Sequence, residues 1–319
     1  MQYSDWNYWF LIKKFKKGHS LERWALRHLH HNDYLNLLAE RIIDFNRYYR
    51  RPCFVQINSI WIDGTPQVNA TSRTKNINCE LADLLYIIEE LDHNGDKISR
   101  KGMLIQAKNT THPRQIDSGN STKKERALFE KLDRNNKLIL KAGVSQSSKE
   151  IGTYLLDSSV KEGLSDCARF LLMPKNRCWL YDYIFNCPPF HVTWPKKETS
   201  NEMVLGQSLS ETILEIYNGT DLGKEIIAPD KCEWSRMVLD LENKYQGVEM
   251  KGYDRQKRLY SSRVCSFKVH ERFLQDPIIH TDAYDLKNKI IDFENLPYIS
   301  IIKVSVQYPE QDEPSKHIN

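Results

Sequence analysis

Two short apolar segments on either side of an Asn-Gly pair constrain the fold of this chain more than any other feature. Residues 84–88 (LLYII) and 103–105 (MLI) are rich in strand-forming side chains, and Asn94-Gly95 lies in the polar segment between them. Asn-Gly between two such segments is the strongest short-range signal for a β-hairpin. The sequence therefore predicts an antiparallel hairpin within residues 79–108.

The predicted hairpin brings polar residues together at one end of a sheet. Asp83 begins the first strand, and Gln106 and Lys108 end the second. Side chains two residues apart in a strand share a face, so Gln106 and Lys108 are expected on the same side. An acid, an amide and an amine then converge, a combination that suits a metal-dependent hydrolytic site. The alternative is a solvated Asp83–Lys108 ion pair beside an ordinary rim glutamine.

The pattern of Asp83 followed by Gln106-Ala107-Lys108 resembles the PD-(D/E)XK nuclease superfamily in its QxK form. The resemblance implies an α/β (α+β) fold with a restriction-endonuclease-like αβββαβ core and a mixed sheet. It implies that Asp83 and Gln106 bind Mg²⁺ or Mn²⁺, with the main-chain carbonyl of Ala107 completing the metal's shell. It also implies that Lys108 assists the hydrolysis of a phosphodiester bond.

Two departures from the family pattern bear on the expected site. Ala82 stands where the family has proline, and Gln106 replaces the usual carboxylate, which removes one negative charge. Members with this replacement often recruit a glutamate from elsewhere, so Glu40 and Glu80 are the candidates for a catalytic and metal-binding acid. We favour Glu40, because a side chain from the predicted helix 33–49 can enter the sheet end without bending a strand. Its alternative is a boundary charge that pairs with Arg47.

The residue types suit this chemistry. Mg²⁺ takes oxygen ligands and keeps several waters. It polarises a phosphoryl group and lowers the pKa of a bound water, and a neighbouring lysine can stabilise transition-state charge. We therefore expect Lys108→Ala to abolish cleavage. Because the end of a strand is not core, we expect the same substitution to leave the fold intact.

Basic residues near the hairpin are candidates for contacts to nucleic-acid phosphates. Arg73 and Lys75 lie in a polar segment predicted as a loop, and a predicted helix over 122–135 follows the hairpin. That helix carries Lys123, Lys124 and Arg126. Phosphate contacts of this kind are sensitive to salt. The alternative for each residue is a solvated loop or helix surface.

Length and pattern suggest one large domain or two ordinary ones. Residues 53–62 are predicted as the first strand of a three-strand meander, and residues 168–173 as the last strand of the core. This assigns 1–175 to the nuclease-like domain and 176–319 to a C-terminal α+β accessory domain for partner interactions. In that second part, Ser208 and Glu211 predict a capping box that opens a helix, and residues 298–308 predict a half-exposed strand.

Composition excludes several classes of function. The net charge of +4 is well below that of a protein dedicated to coating DNA. The seven cysteines form no CxxC pair, which argues against a zinc module and fits a reducing cytoplasm. No apolar segment approaches the length of a membrane span. We therefore expect a cytoplasmic protein with no membrane partner.

The layout also resembles the nuclease effector subunits of prokaryotic antiviral defence systems of the Lamassu type. The similar segments are ELADLL…LIQAK, ARFLLMP, LSETILEIYNG and EWSRMVLDLE. This resemblance implies a complex with an SMC-like ATPase and a further defence subunit, and DNA as the substrate.

Three hypotheses stay open. The first is an active metal-dependent DNA endonuclease. The second is a nuclease-fold module that has lost catalysis and binds nucleic acid or partners. The third is an unrelated α/β interaction subunit in which the motif is accidental.

Overall fold

A ten-stranded mixed sheet is the scaffold of this protein, and a four-stranded sheet packs beside it. The computed structural model describes residues 10–11, 20–61, 65–143, 148–156, 160, 162–179, 188–198, 200–243, 264–270, 280–284 and 297–310. The helices used below are α1 (Leu21–His28), α2 (Asn32–Tyr48), α3 (Asn120–Lys131), α4 (Leu209–Tyr217) and α5 (Glu233–Asn243).

The strands, numbered along the chain, are β1 (Phe54–Ile60), β2 (Gln67–Thr71), β3 (Asn76–Glu80), β4 (Leu84–Leu91), β5 (Lys97–Thr110), β6 (Leu138–Lys141), β7 (Glu150–Tyr154), β8 (Ala168–Pro174), β9 (His191–Thr193), β10 (Gln207–Ser208), β11 (Lys224–Glu225), β12 (Val264–His270), β13 (His280–Tyr284) and β14 (Ser300–Gln307). The large sheet has the order β10-β9-β8-β5-β4-β14-β1-β12-β13, with β11 paired to β5. The small sheet has the order β3-β2-β6-β7. The prediction of a mixed α+β class is confirmed.

The predicted hairpin is formed by β4 and β5, which pair antiparallel. Its turn is closed by Asp92, whose Oδ1 accepts hydrogen bonds from the main-chain N–H groups of Asn94 and Asp96. Gly95 adopts a φ of 86°, a left-handed conformation that glycine reaches without strain. Asn-Gly therefore does what its sequence signal predicts.

The prediction of a three-strand meander is wrong in one respect, because β1 is not a neighbour of β4 in the sheet. Strand β14, which comes from the C-terminal part of the chain, lies between them, parallel to β4 and antiparallel to β1. Both faces of β14 are buried, so it is a central strand and not the half-exposed strand that its polar residues indicated. The large sheet therefore spans both segments, 1–175 and 176–319, that the sequence suggested as separate domains.

The small sheet corrects a second expectation. The polar residues 65–78, which include Arg73 and Lys75, are predicted as a loop, yet β2 lies within this segment and β3 begins in it. Their alternate residues are buried, among them Val68 and Ile77, which join the core between the two sheets. The polar residues that suggested a loop occupy the opposite face of β2 and β3.

Two hydrophobic cores cover the two faces of the large sheet. Along β4, Leu85 and Ile87 face the core shared with the small sheet, α3 and α5. The alternate residues Leu84, Tyr86 and Ile88 face the core shared with α1, α2 and α4. Strand β8 pairs parallel with β5, so the chain must cross over between them, and α3 lies within that crossover. The hairpin end is consequently enclosed by helices and by the small sheet.

The helices of the described residues include none with the length and apolar character that crossing a membrane requires.

Candidate active site

The structure brings Asp83, Gln106 and Ala107 into direct contact at the end of the β4–β5 hairpin. Asp83 precedes β4, and the pairing of Leu84 with Ile105 places it beside Gln106. Asp83 Oδ2 accepts hydrogen bonds from Gln106 Nε2 at 2.5 Å and from the main-chain N–H of Ala107 at 2.7 Å. One carboxylate oxygen is thereby held by two donors, and hydrogen bonds to a carboxylate are stronger than neutral ones.

Lys108 follows on the same face of β5 as Gln106, and the structure buries it. The side chain lies 2.8 Å from Glu125 Oε2 and 3.9 Å from Glu22 Oε1. Lys108 is only 9% exposed, so it is not the solvated end-of-strand residue that the sequence suggested. The expectation that Lys108→Ala leaves the fold intact is therefore revised, because its removal would leave buried carboxylates without their cation.

Glu22 reaches the site from α1, which sequence reasoning missed. Helix α1 begins after Ser20, whose side chain accepts a hydrogen bond from the N–H of Arg23. Glu22 occupies the first turn, where a negative side chain is favoured by the helix dipole. The sequence does contain a signal for helix α1. Ser20 is a typical N-cap residue, and Trp24, Ala25 and His28, which are buried, follow it at helical spacing.

Glu125 comes from the second turn of α3 and was likewise not identified. It is only 6% exposed, although its neighbours Lys123 and Lys124 are exposed. The sequence signal for Glu125 is a charged residue at helical spacing from the apolar residues Leu128 and Phe129, on the face of α3 that is buried. A charge at such a position is expected to have a partner, because buried charges are generally paired. The partner found here is Lys108.

The two glutamates proposed from the sequence have different positions. Glu80, at the end of β3, lines the same cleft as Asp83. Glu40 is exposed on α2, which packs against β1 and β12, and it is not among the residues that line the cleft. The preference for Glu40 is therefore corrected: the helical glutamate at this site is Glu22, because α1 packs on β5, whereas α2 packs on β1 and β12.

Burial and neighbouring charges shift the ionisation of the acids. Burial raises the pKa of Asp83 well above its usual value, and Glu22 and Glu80 raise it further. The ammonium of Lys108 and the N–H of Ala107 act in the opposite direction. Burial also raises the pKa of Glu22. The site thus concentrates more buried carboxylate than one lysine neutralises, which is a setting that attracts a further cation.

Lys108 itself stays charged. Burial alone lowers the pKa of an ammonium, but Asp83, Glu22 and Glu125 together raise the pKa of Lys108 above its usual value. A permanently charged lysine at this position can stabilise negative charge on a bound group. It cannot accept a proton as a general base near neutral pH.

These residues line a cleft of about 750 Å³ between α1, α3 and the small sheet. Its lining consists of Ser20, Glu22, Arg23, Gln67, Val68, Asn69, Asn78, Cys79, Glu80, Asp83, Gln106, Lys108, Asn120, Ser121, Lys124, Glu125, Lys141 and Gly143. Cys79 contributes no thiolate to it, because burial raises the pKa of this thiol to about 12.

Of the five residues expected to contact phosphates, Lys124 lines the cleft. Lys123 is exposed on α3 but does not line it. Arg126 is buried, and it bonds to the Glu130 carboxylate and to the Ser200 carbonyl. The expected role of Arg126 is corrected, because these bonds hold the guanidinium away from the cleft and tie α3 to the loop before β10.

Arg73 and Lys75 do not line the cleft either. Both lie in the turn between β2 and β3, at the opposite end of that hairpin from Gln67 and Glu80. Arg73 forms an ion pair with Glu162. Two cations that the sequence did not single out, Arg23 and Lys141, line the cleft instead.

The polar atoms at the hairpin end fit a hard divalent cation. Gln106 Oε1 is buried and has no hydrogen-bond partner among the described residues. Asp83 Oδ1 takes part in none of the hydrogen bonds found there, and both residues line the cleft. Mg²⁺ needs only one or two carboxylates beside neutral oxygens and waters. Asp83 and Gln106, with Glu22 or Glu80 near by, can supply that set.

Within the described part of the chain, no group of three or more His, Cys, Asp or Glu side chains is close enough together to hold a metal ion. The main-chain N–H of Ala107 already donates to Asp83, and its carbonyl as a metal ligand stays a prediction. A metal here would therefore rely on Asp83 and on the amide oxygen of Gln106.

Comparisons of this chain with protein-family models, with curated proteins and with solved structures found no match.

Proposed function

We propose that this protein is a metal-dependent nuclease that hydrolyses phosphodiester bonds of DNA in the cleft at the end of the β4–β5 hairpin. The observation that carries the proposal is the meeting of Asp83, Gln106 and Lys108 in one cleft, with Glu22 and Glu80 in its lining. These are the residue types of the QxK pattern, and they come from two separate strand ends.

Asp83 and Gln106 would hold the metal, Mg²⁺ or Mn²⁺, with Glu22 or Glu80 supplying further negative charge. When bound, such a metal polarises a phosphoryl group and lowers the pKa of a bound water. Asp83 Oδ2 is fixed by Gln106 and Ala107, so Oδ1 is the oxygen available to a ligand. The carbonyl of Ala107 is a further proposed ligand.

Lys108 is the residue proposed to stabilise charge on the phosphate during hydrolysis. Its ammonium is held by Glu125 on one side, with Glu22 farther away at 3.9 Å. A charge fixed in advance costs no reorganisation when negative charge develops on the substrate, and this is the basis of electrostatic catalysis. Glu125 is then a positioning residue, because it acts on the substrate through Lys108.

The proposed core is restriction-endonuclease-like. Strands β4 and β5 form an antiparallel hairpin, α3 follows, and β8 returns parallel to β5. In this assignment β14 takes the sheet position next to β4, so residues beyond 175 complete the core. By its resemblance to Lamassu-type effectors, the protein would act in the cytoplasm beside an SMC-like ATPase and a further defence subunit, which would restrain it.

The test is cleavage of plasmid DNA and of single-stranded circular DNA, each with Mg²⁺ or Mn²⁺, by the native chain, alone and with its native partners. We expect Asp83→Asn and Lys108→Met to reduce cleavage by at least ~100-fold, the effect of losing one stabilising group in an active site. Glu40→Gln is the matched control, an exposed glutamate on a helix outside the cleft, and should cut like the native chain. Undiminished cleavage by Lys108→Met would refute the proposal.

A second candidate is a nuclease-fold module that binds nucleic acid or partners without cutting. It is favoured by the neutral Gln106 in place of a carboxylate and by the 2.8 Å ion pair that engages Lys108. The same experiment separates the two functions. DNA binding without cleavage, in every metal and with every partner, would select the binding module.

A further inference from the structure

We infer that the cleft takes an unpaired DNA strand, with its bases against an amide-rich wall formed by β2 and β3. The inference rests on the proposed function, since it names the substrate of the same site. Three observations carry it: the chemistry of that wall, the charge of the lining and the size of the cleft.

The wall is one face of the small sheet. Gln67 and Asn69 alternate with buried residues along β2, and Asn78 and Glu80 do so along β3. Strand pairing places Asn69 opposite Asn78, and Gln67 opposite Glu80. On its other side Gln67 pairs with Lys141 of β6. Side chains of directly paired residues lie side by side, so these five form one continuous polar surface that lines the cleft.

The amides of this wall are available to a ligand. Gln67, Asn69 and Asn78 make no side-chain hydrogen bond with the described residues, whereas Gln106, on the catalytic side, is tied to Asp83. Carboxamides present a donor and an acceptor together, and this pairing matches the edges of nucleobases. Proteins that recognise unpaired strands read those edges after the bases have left the stack.

The charge of the lining argues against an intact duplex. The cations Arg23, Lys108, Lys124 and Lys141 are matched in number by the acids Glu22, Glu80, Asp83 and Glu125. Binding to duplex DNA depends mainly on neutralising many phosphates with an excess of cations. A lining with balanced charge lacks that excess, so affinity must come from contacts to bases.

The size of the cleft agrees with this. A volume of about 750 Å³ is in the range of pockets that enclose one drug-sized molecule, which corresponds to about one or two nucleotides. Gln106 and Lys108 are only 1% and 9% exposed, so the proposed metal ligand and the proposed catalytic lysine lie at the bottom of the cleft. The backbone of an unpaired strand can enter such a recess, whereas pairing and stacking hold the backbone of a duplex on the outside of a wide helix.

The test measures binding and cleavage separately. Binding of the native chain is followed by fluorescence anisotropy in EDTA, with a labelled single strand of about 12 nucleotides and with the blunt duplex of the same sequence. We expect the single strand to bind at least ~10-fold more tightly than the duplex. With Arg23, Lys108, Lys124 and Lys141 as the phosphate contacts, log K should change with log salt by no more than about −3.

Variants of the wall test where the bases lie. Gln67→Ala and Asn78→Ala should each weaken single-strand binding by roughly 3- to 10-fold, the effect of one lost hydrogen bond. Asn76→Ala is the matched control, because Asn76 is an exposed amide on the same face of β3 that does not line the cleft, and it should bind like the native chain.

Tighter binding of the duplex, or single-strand binding unchanged in both wall variants, would overturn the inference. Cleavage is then read in Mn²⁺ with the same two substrates. If the single strand binds as expected but neither substrate is cut, alone or with the native partners, the proposed nuclease function fails and the inferred ligand stands. If the blunt duplex is cut faster than the single strand, the inference fails and the nuclease function stands.

Discussion

Lys108 sets the charge balance of the candidate site. It is the cation that offsets Glu125 and Glu22, and its ion pair with Glu125 is shielded from water, with side chains 11% and 8% exposed. Breaking a buried pair by removing one partner is costly, because the other charge is left without compensation. In the proposed function, catalysis would therefore depend on the same ammonium group that stabilises the fold.

A double-mutant cycle measures how much the Lys108–Glu125 pair contributes to stability. We expect Lys108→Met to lower the free energy of unfolding by about 3–5 kcal/mol at pH 7. Adding Glu125→Gln should recover about 1–3 kcal/mol, since the uncompensated carboxylate is removed. Urea unfolding of the native chain, both single variants and the double variant provides the measurement. Strictly additive effects would mean that the pair contributes nothing to stability, and would contradict this account.

His191 should make the stability of the fold depend on pH. It is fully buried in β9, where its Nε2 lies 2.6 Å from the carbonyl of Pro113. Burial lowers its pKa to about 4, although the hydrogen bond to Pro113 acts in the opposite direction. The unfolded chain takes up this proton below about pH 6.5, whereas the folded chain does so only near pH 4. The unfolded state is therefore favoured as the pH falls between these values.

The expected loss from His191 is about 1.4 kcal/mol per pH unit between about pH 6 and pH 4.5. His191→Gln keeps a side-chain donor for the Pro113 carbonyl but removes the titration. The difference in unfolding free energy between native and variant chains is measured at pH 7 and at pH 5. Titration of the other ionisable groups is common to both chains and cancels in this difference, so the change with pH reports His191 alone. A difference that does not change with pH would contradict the shift.

Residues that follow local rules could be predicted, and those that depend on packing could not. Asp83, Gln106 and Lys108 were placed by one hairpin signal and the two-residue repeat of a strand. Glu22 and Glu125 come from helices before and after the hairpin, and only tertiary packing brings them to Lys108. Glu40 was preferred because a helix side chain can enter the sheet end without bending a strand, but the sequence does not report which helix packs there, and that helix is α1.

At the scale of the element, main-chain hydrogen bonds from residues 163 and 164 hold the C-terminal end of α3 in place. The N–H groups of Gly163 and Leu164 donate to the carbonyls of Leu132 and Phe129 at the end of α3. Gly163 has a φ of 72°, and an added Cβ would lie 2.4 Å from the carbonyl oxygen of Phe129. Since the obstructing atom belongs to the main chain, it cannot turn aside.

We expect Gly163→Ala to lower the free energy of unfolding by about 3 kcal/mol or more, through backbone strain and overpacking together. Gly95→Ala is the control for strain alone. Gly95 has a φ of 86° with no atom within 4 Å of the added Cβ, so a loss of about 1–2 kcal/mol is expected. Thermal or urea unfolding of the two variants compares them, and equal losses would contradict the close approach at Gly163.

Elements with a strong local signal were predicted, and those that depend on the other sheet were missed. The capping box of Ser208 and Glu211 is present and opens α4 as expected. Strands β2 and β3 were taken for a loop because one face of each is polar. That polar face lines the cleft, where the proposed function needs polar side chains. The sequence of these two strands therefore lacks the strong apolar character by which strands are usually recognised.

At the scale of the molecule, β14 determines which parts of the chain can fold alone. Ile302 and Val304 of β14 are fully buried, and the strand connects β1 to β4 by hydrogen bonds on both sides. Sequence reasoning placed the domain boundary near residue 175 because local patterns do not report which distant strand becomes a neighbour. Such pairings carry a large sequence separation and are set by the whole core.

A fragment of residues 1–175 should therefore not fold by itself. Without β14, the edges of β1 and β4 and the apolar faces beneath them would be exposed to water. We expect the fragment to show no cooperative thermal transition by circular dichroism, whereas the full chain should show one. A cooperative transition in the fragment would restore the original two-domain boundary.

The proposed function requires a divalent metal at the hairpin end, and calorimetric titration of Mn²⁺ into the isolated chain tests this requirement most directly. Metal binding can be measured even if partners restrain cleavage. We predict saturable binding to one site, weakened by at least about tenfold in Asp83→Asn and weakened in Glu22→Gln, but unchanged in the exposed control Glu40→Gln. Absence of saturable binding, or equal affinity in the native chain and Asp83→Asn, would contradict the account.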